Sequence, residues 1–236
     1  LNQNKTEILH VGSPNMRSDL DMVLLGDSEI TTADVVKDLG VLVDSELNLL
    51  SHVRNTAKSC FFQLRNIKQI AKCLPHELVK VLVHTMVTSR IDYCNSILFG
   101  LPKSSIVILQ RVQNSAARLV SSTSRFDHIT PVIKSLHWLK IDERITYKLC
   151  LLVYKCLHGL APPYLCTLVA PISLDRESRS QSNGLLCVPR TRKKFGDRAF
   201  SVAGPRCWNR LPQNVRHAKS LESFKVKLKT FLYSSI

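Results

Sequence analysis

Leu50-Ser51-His52-Val53-Arg54-Asn55-Thr56-Ala57-Lys58-Ser59-Cys60-Phe61-Phe62-Gln63-Leu64-Arg65-Asn66-Ile67-Lys68-Gln69-Ile70-Ala71-Lys72-Cys73-Leu74 sets the fold. Leu50, Val53, Ala57, Cys60 with Phe61, Leu64, Ile67, Ala71 and Leu74 recur at steps of three and four, the spacing of one helix face. The pattern predicts an amphipathic helix of about seven turns. Pro75 closes it and can open the next helix. At about 100° per residue, Arg54, Lys58, Arg65, Lys68 and Lys72 fall in a stripe roughly 80° wide beside the apolar face. Cations in such a row can track a phosphate backbone, each neutralising one phosphate and releasing its counterion. A solvated helix face is the alternative reading of the same row.

Downstream, residues 76–99 carry Leu78, Val79, Val81, Leu82, Val83, Met86, Val87 and Ile91. They are apolar nearly all round, which predicts a buried central helix, broken at Gly100-Leu101-Pro102. Ile106, Leu109, Val112, Ala116 and Leu119 predict a third helix with Gln110, Arg111, Gln113, Asn114 and Arg118 on its polar side. Three helices with short links predict a bundle.

Upstream, residues 1–46 read as short strands and turns. Glu7–Gly12, Met22–Leu25 and Val35–Asp44 are strand-like, with a turn at Gly26-Asp27 and a break at Gly40 that marks a bulge or a close backbone approach. Beyond residue 120, Thr130-Pro131 opens a short helix through Leu136. Asp142 is the expected N-cap of a helix to about His158, stopped by Gly159. Pro162-Pro163 restarts a helix through Val169. Residues 171–184 form an exposed loop, Leu185–Pro189 a short strand, and Ser220 caps a last amphipathic helix. The fold class expected is α+β, mainly helical.

Charge divides the chain. The net charge is +15, yet residues 1–50 hold three basic residues against nine acidic ones, net −6, and the remainder thirty against nine, net +21. That asymmetry points to a second region facing a polyanion. Arg190-Thr191-Arg192-Lys193-Lys194 is its densest run, followed by Phe195, Phe200 and Trp208 among Arg198, Arg206 and Arg210. Cations interleaved with rings suit single-stranded nucleic acid, although Trp208 reads slightly better as the anchor of a small core.

Eight scattered cysteines without a C-x-x-C pair read as reduced thiols of an intracellular protein, nuclear or cytoplasmic. Cys150, Cys156, His158 and Cys166 are the best metal candidate, but their spacing matches no common zinc pattern, and no metal is expected in this chain. No apolar run reaches the length of a membrane span, so no membrane partner is expected. The chain opens on Leu1 and its first methionine is Met16, which reads as part of a longer frame.

Several strings, in this order, resemble the C-terminal part of the reverse transcriptase of non-LTR (LINE-type) retrotransposons, near the jockey-like clades. They are Leu1-Asn2-Gln3-Asn4-Lys5-Thr6-Glu7, Val36-Lys37-Asp38-Leu39-Gly40-Val41, Ser89-Arg90-Ile91-Asp92-Tyr93-Cys94-Asn95-Ser96 and Leu98-Phe99-Gly100-Leu101-Pro102. Leu109–Arg118, Leu136-His137-Trp138-Leu139, Ala161-Pro162-Pro163-Tyr164-Leu165 and Trp208-Asn209-Arg210-Leu211-Pro212 follow. The resemblance implies that residues 1–46 end a palm, 47–120 form a thumb-like three-helix bundle, and 121–236 a basic C-terminal extension. Lys5 would contact the incoming triphosphate, and Leu39 and Gly40 would be the primer-grip turn. Magnesium, held by paired aspartates upstream of Leu1, is expected of the parent enzyme, because phosphoryl transfer needs a carboxylate-held metal pair.

The chain alone is therefore expected not to be an enzyme. It would be a fragment of an RNA-directed DNA polymerase, with the template–primer duplex, element RNA and the upstream palm and fingers as partners. Two alternatives remain open. One is a stand-alone RNA- or DNA-binding module acting through 185–217, the other a helical protein-interaction module.

Overall fold

A computed structural model describes residues 6–12, 22–25, 28–172 and 184–234. It is mainly helical, with short strands confined to the N-terminal part. Strands β1 (Ile8–Leu9), β2 (Met22–Leu25) and β3 (Ser28–Ala33) form one sheet in the order β1-β3-β2. β1 runs parallel to β3, and β2 antiparallel to it from Met22↔Thr31 to Leu25↔Ser28. The turn expected at Gly26-Asp27 lies outside the described residues, as does Lys5.

The single strand expected over 35–44 is instead a hairpin. Strands β4 (Val35–Asp38) and β5 (Val41–Asp44) pair antiparallel around a two-residue loop, Leu39-Gly40. Both loop residues have positive φ, 45° and 86°, the handedness that matches the twist of the flanking strands. Gly40 supplies that conformation without strain, so its role is to turn the chain and not to make a bulge.

Helix α1 runs over Leu50–Ile70, and a 3₁₀ turn over Ala71–Cys73 replaces its expected last turn. Its start is built by side chains. The Asp44 carboxylate accepts from the Asn48 and Leu49 amides at 2.9 and 2.6 Å, and Asn48 Oδ1 accepts from the Leu50 amide at 2.9 Å. Two of the donors that a helix start leaves unpaired, the Leu49 and Leu50 amides, are thus met, with Asp44 buried beneath them. Val53, Ala57, Cys60, Leu64 and Ile67 face the core, whereas Phe61, expected beside Cys60 in that face, is 42% exposed.

The segment 76–99 departs from an all-round buried helix. Helix α2 (His76–Val83) passes through a π turn (His84–Thr88) into α3 (Ser89–Asp92), then a 3₁₀ turn over Asn95–Leu98. Val79, Val83, Val87 and Ile91 are buried at four-residue spacing, while Leu78, Val81 and Met86 are 49%, 54% and 41% exposed. Neighbouring helices α1 and α4 (Lys103–Ser121) cover one side only, so composition overstated the burial. The Cys60 thiol, close to the Val87 carbonyl at 3.8 Å, ties α1 to the π turn.

The C-terminal half adds α5 (Ile129–Ser135), α6 (Ile141–Leu157), α7 (Pro163–Cys166), α8 (Phe200–Asn209), α9 (Gln213–Arg216) and α10 (Leu221–Tyr233). Asp142 lies inside α6 and is not its cap; the Ile141 amide donates instead to Gln110 Oε1 of α4 at 3.1 Å. Gly159 does end the helix, with φ 66°. Helix α7 stops at Cys166, short of Val169, and the strand expected at 185–189 reduces to one bridge, Pro171↔Leu186. Asn209 takes over strand pairing there, its amide exchanging two hydrogen bonds with the Leu186 backbone at 2.9 and 2.8 Å. Ser220 caps α10 as expected, accepting from the Ser223 amide.

Helix α8 was not legible as a helix because Gly204 and Pro205 interrupt its pattern. Gly204 is required by contact: a Cβ there would lie 2.9 Å from Val153 Cγ2 of α6. Trp208 on α8 is 2% exposed, its ring 5.7 Å from Phe224 and its indole N–H donating to the Gly184 carbonyl at 2.9 Å. It is a core anchor, and base stacking by Trp208 is excluded by its burial. One hydrophobic core runs without interruption from Val41 to Leu232.

Candidate nucleic-acid interface

All five residues of the α1 stripe, Arg54, Lys58, Arg65, Lys68 and Lys72, are exposed, and none is paired with a carboxylate among the described residues. Lys72 sits in the 3₁₀ turn, and the tighter winding there leaves it near the same side. The helical spacing places Phe61 inside the stripe, between Lys58 and Arg65. An exposed ring among cations can pack on a sugar or base while its neighbours hold phosphates. The angular arithmetic that found the stripe contains this signal, but Phe61 is masked by its neighbour Cys60, which does face the core.

Leu39 and Gly40 form the tip of the β4–β5 hairpin, and Leu39 is 84% exposed. The tip is pinned from outside the hairpin. Tyr93, at the end of α3, donates its hydroxyl to the Leu39 carbonyl at 2.6 Å, and its ring lies about 3.6 Å from the space a Gly40 Cβ would take. The hairpin tip is therefore held against the end of α3.

Arg190, Arg192, Lys193 and Lys194 are all exposed and carry no ion pair among the described residues. Their loop is anchored at both ends of the run. Asp197 accepts from the Thr191 hydroxyl at 2.5 Å and from Arg206 at 3.0 Å, and these two donors hold its carboxyl below the usual carboxylate range. Arg198 then reaches across to the β5–α1 connection, donating to the Leu47 carbonyl at 2.7 Å. Its burial pulls the guanidinium pKa down, with Asp44 opposing that shift. A cleft of about 440 Å³ between Lys193, Phe195, Glu46, Leu47, Val11 and Gly12 lies in the same place.

The fold thus brings the loop cluster to the end of α1 where the stripe starts. Nothing in the sequence signals this meeting, since Arg198 and Leu47 stand 151 positions apart. Arg198 was expected beside nucleic acid and is instead a tie between segments. Phe195 remains 53% exposed, and Phe200 packs against the core.

Among the described residues no group of three or more His, Cys, Asp or Glu is placed to hold a metal, and Asp44 is engaged at the start of α1. Of the candidate metal ligands, Cys156 and Cys166 lie side by side, whereas the other two face elsewhere. Cys150 is fully buried between α6 and α8 near Cys207, and His158 stacks on Tyr154 at 3.9 Å. All eight cysteines are free, and burial pushes the Cys60, Cys156 and Cys207 thiols up to about 11. No helix among the described residues is long and apolar enough to cross a membrane. Compared with family models, curated proteins and solved structures, the chain has no significant match in any of the three.

Proposed function

We propose that this chain grips a template–primer duplex as the palm end and thumb of an RNA-directed DNA polymerase of the non-LTR retrotransposon type. The observation that carries the reading is the α1 stripe: Arg54, Lys58, Arg65, Lys68 and the exposed Phe61 ring on one face of a 21-residue helix, with Lys72 just past its end, and none of these cations paired with a carboxylate among the described residues. The Leu39-Gly40 tip would position the primer end, Lys5 would meet the incoming triphosphate, and element RNA and the upstream palm and fingers would be its partners inside the cell. Arg190, Arg192, Lys193 and Lys194 would extend the phosphate-binding surface past the start of α1. Catalysis and its magnesium ions would belong to carboxylates of the upstream palm, so this chain by itself binds without incorporating nucleotides.

Reversing Arg54, Lys58 and Arg65 to Glu tests the reading on an RNA–DNA duplex. Removing about three phosphate contacts reduces the slope of log affinity against log salt by about 2.7, and weakens binding more at 50 mM salt than at 200 mM. Unchanged affinity and slope would remove the stripe from the interface. Reversal of the four loop cations separates the stand-alone module reading, in which that cluster supplies most of the affinity. Point reversals suit this test because Leu186, Trp208, Leu211 and Val215 of the same segment are core residues.

A further inference from the structure

Two of the strings quoted above, distant in the chain, meet at a cavity of about 440 Å³ whose lining includes neither Leu39 nor Gly40. Asp92 and Asn95 come from the end of α3 and the turn after it, and residues 136–139 come from the link between α5 and α6. Its volume lies in the range of small-ligand sites. Neither the stripe nor the basic loop contributes to it.

The cavity is cationic. Arg144, Lys148 and Lys229 line it against one carboxylate, Asp92, with His84 and His137 at its edge. Asp92 is already matched: Arg144 Nη1 donates to it at 2.7 Å, and Arg144 Nε donates to the Leu139 carbonyl at 3.0 Å. These two bonds fix the guanidinium plane and leave its other donors free, the preorganised fork that suits a phosphate. Lys148 and Lys229 come from α6 and α10, are exposed, and have no ion-pair partner among the described residues. The neighbouring Lys225 and Glu222 pair with each other at 2.6 Å and cancel.

The remaining wall is apolar and partly aromatic. Leu136, Leu139, Tyr147 and Leu151 line it, and Trp138 stands behind with His84 edge-on to its ring at 5.6 Å. Asn95 Oδ1 is buried there without a hydrogen-bond partner, an acceptor short of one donor. A cationic end beside an apolar wall matches a ligand with a phosphate at one end and a flat, weakly polar group at the other.

We propose that this cavity binds a nucleoside monophosphate unit, free or at the end of a strand. Arg144, Lys148 and Lys229 hold the phosphate, and the leucine and tyrosine wall receives the sugar and base. The choice of a nucleoside phosphate over other phosphate esters rests on the duplex-gripping reading; the anion site itself does not.

The test uses the full chain, with adenosine 5′-monophosphate, adenosine, and a single-stranded tetranucleotide with and without a 5′-phosphate, each titrated by calorimetry or anisotropy. The expected results are saturable binding of the phosphorylated probes and at least about tenfold weaker binding of those lacking phosphate. Lys148→Glu with Lys229→Glu, both at exposed positions, should weaken the phosphorylated probes by about tenfold or more and leave the thermal melt unchanged. Tighter binding of the phosphorylated strand than of the free nucleotide assigns the ligand to strand ends, and equal binding assigns it to free nucleotides. Absence of saturable binding of either phosphorylated probe below about 10 mM, or affinity untouched by the double reversal, overturns the proposal. The Arg54, Lys58 and Arg65 reversal is run alongside. Nucleotide binding that survives while duplex binding never depended on the stripe would sink the duplex reading and leave the cavity standing.

Discussion

Replacing Trp208 separates a core anchor from a stacking platform. In Trp208→Ala the lost indole was 2% exposed and packed on Phe224, so the cavity and transfer costs together come to about 3–5 kcal/mol. The Gly184 carbonyl also loses its indole donor, a loss of about 0.5–1.5 kcal/mol for a half-buried bond. A protein of this size shifts its Tm by about 2–4 °C per kcal/mol, so a drop of about 7–26 °C is expected. Trp208→Phe keeps most of the ring volume but not the N–H, and its expected cost is smaller, about 1–3 kcal/mol. Urea titration followed by circular dichroism reads both. Affinity of the folded Trp208→Phe protein for single-stranded RNA should match the parent within about twofold. A Phe variant of parental stability that binds tenfold more weakly would refute the buried-anchor argument.

Four further predictions come from other parts of the fold. Leu39→Asn should stabilise the protein by about 0.5–1 kcal/mol in urea titration, because Asn accepts the positive φ that Leu39 holds at 84% exposure; a loss of stability would show that the leucine side chain has a partner. Arg198→Ala should speed tryptic cleavage within 190–194, since the tie to Leu47 at 2.7 Å is gone; unchanged cleavage would mean that the Asp197 contacts alone hold the loop. Thiol titration of the folded chain should modify Cys73 and Cys187 first and Cys60, Cys150 and Cys207 last, because burial disfavours the thiolates of the latter three. Burial lowers the pKa of His52, whose ring nitrogen accepts from the Leu42 amide at 3.4 Å. Its neutral form is the folded one, so this contribution is complete above the unfolded pKa of about 6.5 and is lost as pH falls toward the folded value. His52→Gln should flatten that acid limb of the stability profile.

The helices of strongest period were legible because each needs only its own sequence: α1, α4 and α10 bury one face at three- and four-residue spacing. Where burial depends on which neighbours arrive, local pattern misleads. The apolar run 76–99 looked buried on every side, yet α1 and α4 reach only the Val79–Val83–Val87–Ile91 face. Gly204 and Pro205 hid α8, and the use of Gly204 there depends on the close approach of Val153. The Gly40 hairpin was half legible: the glycine flagged a special backbone, but only pairing between Val36 and Val43 turned one strand into two.

By itself the sequence determined the mainly helical class, the charge asymmetry and the angular position of the α1 cations, because composition and helical period are local properties of the chain. Only the tertiary structure decided that Trp208 is core and that Arg198 carries the basic loop to the start of α1. It alone joined residues 92–95 to 136–139 around one cavity. The physical reason is the same in each case: burial and long-range hydrogen bonds depend on partners tens to more than a hundred residues away, and no local pattern encodes which partner will come.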